Sequence, residues 1–231
     1  WRLKREIAAL TGLHPVRWDT WPRPSFVAVA GWGHRPTADR ARKLAERRGV
    51  PYLAFEDGPI RSVRPGPEQP PIGMVVDRAG IYYAAAQPSD LLDFAADRGW
   101  FTPEKRARAQ AALDLLRRLK LSKYNSGPER TPAQLGLDAT AKRRVLVLDQ
   151  VHSDASIAGA LADADAFANM LAGAQADEPA AEIVVKLHPD VLSGRKAGYF
   201  SELKAAGGVR LVAQPVNPWS PLEAVGTVYK V

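Results

Sequence analysis

Residues 51–63 read PYLAFEDGPIRSV. The apolar run from Tyr52 to Phe55 reads as a buried strand, and it ends in two adjacent carboxylates, Glu56 and Asp57, followed by Gly58, Arg61 and Ser62. Side chains alternate across a strand, so two neighbouring carboxylates at its end point to opposite faces and rarely serve one structural purpose. Immediately upstream, FVAVA (26–30) is a second short apolar run, bounded by GWGHRP (31–36). Between the two, residues 37–48 are rich in alanine, arginine and leucine and read as a helix capped by Thr37. Strand, helix, strand is the repeating unit of α/β domains. Such sheets bind ligands beyond the carboxyl ends of their strands.

Farther along, MVVD (74–77) and IYYA (81–84) flank RAG and read as a hairpin or a pair of short strands. PSDLLDFAADRG (88–99) predicts a helix with Ser89 as N-cap and Gly99 as its stop. The next helix starts with Thr102 at the N-cap, Pro103 in the first helical position and Glu104 in the first turn. Its apolar face carries Ala109, Leu113, Leu116 and then Leu119 or Leu121. Residues 122–142 are polar, carry glycine and two prolines, and read as a linker between a domain of residues 1–121 and another of 143–231. Beyond the linker the alternation restarts. Strands are expected at 144–150, 182–187 and 209–213, helices near 156–173 and 198–206, a short helix at PLEAV and a final strand at the end. Two parallel α/β units are therefore expected.

Composition narrows the function classes. The chain has 231 residues, 46% of them hydrophobic, enough to bury a core. No apolar run approaches the roughly 20 residues of a membrane-spanning helix, and neither a secretory nor a transit segment is visible. With no cysteine, a disulfide framework and a thiolate metal site are both excluded, as fits a cytoplasmic protein. A net charge of +7 and a pI of about 9.8 favour anionic partners. Nucleic acid is not among them on motif grounds, because the aromatic residues are not interleaved with basic ones as a stacking groove requires. The chain opens inside an amphipathic pattern (Leu3, Ile7, Leu10) and ends on TVYKV, a strand just begun, so it reads as a piece of a longer protein.

Four polar clusters each follow a strand. EDGPIRS reads either as a capping turn with Arg61 as its surface partner, or as a reactive pair in which Gly58 leaves room for a ligand and Arg61 grips a carboxylate or phosphate. In KLHPD, Lys186 and His188 alternate onto one face at a strand end, a placement suited to a phosphate, and Pro189 fixes the loop as it leaves the sheet. In LDQVHSDASI, Asp149, Gln150, His152, Ser153, Asp154 and Ser156 lead into a helix whose N-terminus either holds an anion or is simply capped by Ser153 or Asp154. Asp154, His188 and Asp190 match no established metal spacing. GWGHRP places Trp32, His34 and Arg35 at the sheet edge. Pro36 occupies the third glycine position of a dinucleotide loop, so no Rossmann cofactor signature is present.

Taken together, GWGHRP, FEDGPIRSV, VVDRAGIYYAAAQPSDL, SKYN, VLVLDQVHSDASI, VKLHPDVLSGRKAGY and NPWSPLEAVGTVYKV closely resemble the capsule polysaccharide biosynthesis proteins of the KpsC type, which are bacterial β-Kdo glycosyltransferases. They occur in the family's order over roughly residues 26 to 231. The resemblance implies two Rossmann-like halves in a GT-B-like arrangement, the second incomplete. It implies transfer of Kdo, an acidic eight-carbon sugar, from CMP-Kdo to an oligo-Kdo linker on a phosphatidylglycerol lipid. Such proteins work at the cytoplasmic face of the inner membrane, in peripheral contact with it and with other capsule assembly proteins.

The same resemblance implies roles for individual residues. Retention of the β configuration points to double displacement, with Asp57 as nucleophile and Glu56 as the alternative, or else as general acid/base or orienting group. Repulsion between the two carboxylates would raise the pKa of one. Gly58, Arg61, Ser62, Trp32, His34, Arg35, Lys123 and Asn125 would bind the sugar or acceptor. Gln150, Asp154, Ser156, Lys186, His188 and Pro189 would line the nucleotide side, with Lys186 and His188 stabilising the departing phosphate. CMP is a good leaving group, so no metal or other cofactor is required. Three departures stand out: VHSDAS for an expected TRGDAS, GPIRS for GFLRS, and VYKV for VYTV with no following turn. The VHS substitution and the missing turn favour a second reading, a non-catalytic nucleotide-sugar-binding or scaffold module, against which the intact EDG and RS residues argue, whereas GPIRS is a change of packing.

Overall fold

A computed structural model of the chain describes residues 3–17, 25–33, 35–63, 69–84, 86–137, 142–152, 154–205 and 208–231. The chain forms two compact units, Trp1–Lys123 and Tyr124–Val231, each with its own sheet.

The first unit opens with helix α1 (Lys4–Thr11) and strand β1 (Val29–Trp32). A 3-10 turn at Pro36–Ala38 then leads into α2 (Asp39–Arg48), so Thr37 sits inside the turn and is not the helix cap expected of it. Gly49, at φ 62°, closes α2 by donating its N–H to Ala45 and Glu46, a left-handed conformation that costs glycine nothing. Strand β2 (Tyr52–Asp57) runs parallel to β1, with Trp32 opposite Phe55. Ala54, Phe55 and Glu56 are all buried in this central strand.

Strand β3 (Met74–Asp77) runs antiparallel to β2, with Asp57 opposite Met74, so this sheet is mixed rather than parallel as expected. Gly58 donates its N–H to the Gly73 carbonyl, and a Cβ at Gly58 would lie 2.9 Å from the Gly73 carbonyl carbon. The glycine thus lets two backbones close together. IYYA is a turn and not a strand. The cause is Asp77, only 2% exposed, whose Oδ1 accepts the N–H groups of Ala79, Gly80 and Asp90 and so folds the following residues around itself.

Helices α3 (Asp90–Ala96) and α4 (Pro103–Arg118) carry the expected caps. Ser89 Oγ accepts from Leu92 N–H and Thr102 Oγ1 from Lys105 N–H. Helix α3 ends at Ala96, three residues before Gly99, where Asp97 leaves helical geometry. On α4 only Ala109 and Leu116 are half-buried, whereas Leu113 and Leu119 of its apolar face are exposed.

In the second unit, strand β4 (Arg144–Leu148) is followed by α5 (Ala155–Gly159), α6 (Ala164–Asp177) and β5 (Glu182–Lys186). The single helix expected near 156–173 is thus two, divided where Asp163 caps α6. After β5 come a four-residue helix α7 (Pro189–Leu192), β6 (Val209–Val212), α8 (Trp219–Leu222) and β7 (Thr227–Tyr229). No helix forms over the described part of 198–206. Ser201 Oγ instead bonds both the N–H and the carbonyl of Gly198, closing a turn.

The strand order is β6-β5-β4-β7 and every pair is parallel. This is the order of the first strands of a Rossmann sheet, with the direction of winding reversing between β4 and β7. Alternate residues of β4 and β5 enter two cores. Val145, Val147, Ile183 and Val185 pack with Ile157, Phe167 and Phe200. Leu146 and Val184 pack with Val212, Val216, Leu135 and Leu137. Burial on both faces is why these strands read as continuous apolar runs. Each such buried side chain contributes about 1.5–3 kcal/mol. Leu135 and Leu137 come from the polar segment 122–142, so part of that segment belongs to the second unit's core.

Candidate functional site

The carboxylates at the end of β2 have different partners. Glu56 is 8% exposed, and its Oε1 accepts from Trp32 Nε1–H at 2.9 Å and from Asp57 N–H at 3.0 Å. Gly33, at φ 53°, takes a left-handed conformation that favours glycine, and a Cβ there would lie 2.9 Å from Glu56 Oε2, so the GWG loop closes over the carboxylate with glycine at this position. Tyr52 braces the same loop by donating its hydroxyl hydrogen to the Gly33 carbonyl at 2.8 Å. Asp57 is more accessible, with 27% of its side chain exposed, and its Oδ1 accepts from Arg61 Nε at 2.7 Å. Arg61 is itself buried and is aimed by two further acceptors, Ser62 Oγ at 3.1 Å and the Gln69 carbonyl at 2.9 Å. The first unit therefore gathers Trp32, Glu56, Asp57, Arg61 and Ser62. Of the other residues expected there, Gly58 packs on Gly73, Arg35 and Lys123 are exposed, and His34 lies outside the described residues.

In the second unit, the ends of β4 and β5 are joined by Asp149. It is 5% exposed, its Oδ1 accepts from Phe200 N–H at 3.2 Å, and its Oδ2 accepts from His188 N–H at 3.4 Å. Gly198 leaves the space for that carboxylate. Lys186 is also buried, with Nζ 3.4 Å from the Leu187 carbonyl. Burial pushes its pKa below the ordinary lysine value, against the opposing pull of Asp149. His188 caps α7 by accepting Asp190 N–H at Nδ1, 3.1 Å away, and its Nε2 lies 3.2 Å from the Tyr124 hydroxyl. Burial pushes the imidazole pKa down, only partly offset by Asp190. Pro189 occupies the first helical position of α7.

Gln150 lies beyond the point where winding reverses between β4 and β7, and its Nε2 donates to the Val231 carbonyl at 2.6 Å. Asp154 caps α5, accepting from both the N–H and the hydroxyl of Ser156, and Ser153 is outside the described residues. Asn125 is half-buried near the start of the unit. Among the described residues no group of three or more His, Asp or Glu side chains is arranged to hold a metal ion.

Sequence reasoning passed over Tyr124, Gln69 and the role of Asp149. Asp149 had a signal, being the first polar residue after LVL. Tyr124 stood within the SKYN stretch, but its contact with a residue 64 positions away leaves no periodic trace, and Gln69 had no signal at all.

Two sheets ending in a carboxylate pair and in a lysine–histidine loop are the arrangement with which known proteins can be compared. A sequence model described as capsule polysaccharide biosynthesis protein matches residues 27–231, from just before β1 to the end of β7. The chain belongs to this family. It is 40% identical over 205 residues to the capsule polysaccharide modification protein LipA of Neisseria meningitidis serogroup B, covering 88% of this chain but 29% of that protein. It is 30% identical over 195 residues to the lipopolysaccharide-processing protein LpsZ of Rhizobium meliloti, covering 83% of this chain and 43% of LpsZ. Among solved structures it is similar to the β-Kdo 2,4 transferase of Thermosulfurimonas dismutans KpsC, with a TM-score of 0.78 and 41% identity over 88% of this chain and 62% of that one. The β-Kdo 2,7 transferase of the same KpsC follows at a TM-score of 0.54 and 27% identity, over 87% of this chain and 57% of that one. This member of the capsule family thus spans less than two thirds of each of these relatives. Its two α/β units are those of a GT-B-like fold. No helix among the described residues is long and apolar enough to cross a membrane.

Proposed function

We propose that the chain is a module of a retaining β-Kdo transferase that takes Kdo from CMP-Kdo and passes it to the oligo-Kdo linker of a phosphatidylglycerol-anchored capsule precursor, in peripheral contact with the membrane that holds it. The first unit serves the acceptor and the reacting carbon, and the second serves the nucleotide. Similarity to the β-Kdo 2,4 transferase of Thermosulfurimonas dismutans KpsC supports the reaction class. The single observation that carries the mechanism is the unequal setting of the two carboxylates.

Glu56 is enclosed and bonded to Trp32 and to the backbone, so it supports the loop above it. Asp57 is the accessible member, held at Oδ1 by Arg61 and leaving Oδ2 to face a substrate. In the first step an Asp57 oxygen attacks the anomeric carbon of Kdo. The bond from that carbon to the phosphate oxygen breaks, and CMP leaves with the electron pair. In the second step an acceptor hydroxyl attacks the same carbon from the opposite side, its proton is lost to a base, and the Asp57 carboxylate is released. Two inversions give retention. Arg61 fixes the direction of attack, and Ser62 and Gln69 fix Arg61. Lys186 supplies a poorly hydrated positive charge to the leaving phosphate, an interaction that strengthens as charge develops there. Gln150 and the capped start of α5 complete the nucleotide side.

Intact-protein mass spectrometry of the full-length protein incubated with CMP-Kdo alone tests this reading. An adduct of one Kdo is expected, retained in Glu56→Ala and lost in Asp57→Ala. The absence of any adduct, together with no CMP release when acceptor is added, would leave a binding module in place of a transferase.

A further inference from the structure

The loop after β5 contains a chain of contacts whose direction can be deduced. Asp190 N–H donates to His188 Nδ1 at 3.1 Å, so that nitrogen carries no proton. The proton of the neutral ring therefore sits on Nε2, and Nε2–H donates to the Tyr124 hydroxyl oxygen 3.2 Å away. The two rings meet edge to face, with centroids 5.5 Å apart and planes at 83°. An imidazole on a surface loop has two ring orientations and two tautomers. The Asp190 N–H pins one end of the ring, and Tyr124 pins the other.

We propose that Tyr124 is a positioning residue of the nucleotide side, holding His188 in one ring orientation and one tautomer, so that the loop between β5 and α7 meets the CMP part of the donor already formed. The inference rests on the reading of the second unit as the donor-binding unit. Tyr124 is the first residue of that unit, and His188 lies 64 residues farther on, so the contact ties the unit's entry to the loop beyond its second strand. Burial of both rings supports the same picture, since it favours an uncharged imidazole beside an un-ionised phenol. A phenylalanine at 124 keeps the ring and removes the hydroxyl, and with it the acceptor for His188 Nε2–H. The ring can then turn over, and the loop must be ordered anew on each binding event.

The test is a double-mutant cycle in the full-length protein with CMP as the probe, read by calorimetry. Tyr124→Phe should weaken CMP binding about three- to tenfold. In a His188→Ala background the same change should have no further effect, because Tyr124 acts through the imidazole. Nitrogen-15 NMR of the imidazoles adds a readout that a purely structural role would not move. The wild type should show His188 as the Nε2–H tautomer alone, and Tyr124→Phe should show a mixture. Unchanged affinity with a single tautomer in Tyr124→Phe would overturn the proposal, as would an equal loss in both backgrounds. If the wild type itself fails to bind CMP, the donor-site reading falls, and the tautomer spectrum still decides whether Tyr124 holds His188. Should Tyr124→Phe fail to fold, the wild-type spectrum decides alone, with a mixed or Nδ1–H tautomer counting against the proposal.

Discussion

Lys186 is costly where it stands. Its ammonium is buried at the end of β5, beside Asp149, and among the described residues reaches only a long contact to the Leu187 carbonyl. A lysine whose folded pKa is lowered binds fewer protons in the folded state between that pKa and the ordinary value. Stability therefore rises with pH through that window, and below it the protein bears the whole cost of a buried cation. Lys186→Met removes the cation and keeps the stem. Its melting temperature at neutral pH should rise, while CMP affinity falls about ten- to a hundredfold, as befits a lost hydrogen bond to a charged group. Thermal melts beside binding titrations check this. A variant that is stabilised and binds CMP as well as the wild type would remove Lys186 from the site. The carboxylates make the opposite point about accessibility. Glu56 and Asp57 are adjacent in the sequence, yet strand alternation gives one to the Trp32 indole and the other to Arg61. The sequence could expose that pair as unusual, but only the contacts separate the two roles.

Strand β5 shows how an element's ends differ from its middle. At its start, Glu182 accepts from Arg144 of β4 and from Arg210 of β6, both at 2.8 Å, so one carboxylate joins three strands. Burial pushes its pKa up, but the hydrogen bonds and charges of the two arginines outweigh that, and the net value lies below the ordinary one. The stabilisation is present above the unfolded glutamate value of about 4.3. It is lost as pH falls through the lower folded value. Glu182→Gln should cost about 1–3 kcal/mol at pH 7. The loss should shrink in acid, which urea denaturation at neutral and acid pH would read. A loss that does not depend on pH would show packing, not charge, at work. The middle of β5, like that of β4, was legible because valines and leucines are buried on both faces. The errors fell where a side chain captures backbone groups. IYYA has the composition of a strand, but Asp77 takes three N–H groups and turns the chain. Phe200 and Leu203 have helical spacing, but Ser201 closes a turn on Gly198. Hydrophobic period is written locally, whereas these captures depend on which polar group ends up buried.

At the scale of the whole molecule, charge acts in two regimes. The chain carries a net charge of +7, and its site is proposed to receive an anion bearing a phosphodiester and a sugar carboxylate. Exposed charges attract such a donor from a distance and so act on its rate of arrival. Salt screens them, since the Debye length is about 10 Å at 0.1 M ionic strength. Lys186 is shielded from mobile ions by its burial and acts after arrival, on the rate of departure. Raising salt from roughly 0.05 to 0.5 M should therefore slow CMP-Kdo association several-fold and leave dissociation within about twofold. Lys186→Met should do the reverse, speeding dissociation and leaving the salt slope of association unchanged. Stopped-flow binding separates the two rates. If salt acted mainly on dissociation, the holding charge would have to be an exposed one, and the buried lysine could not be the group that grips the phosphate.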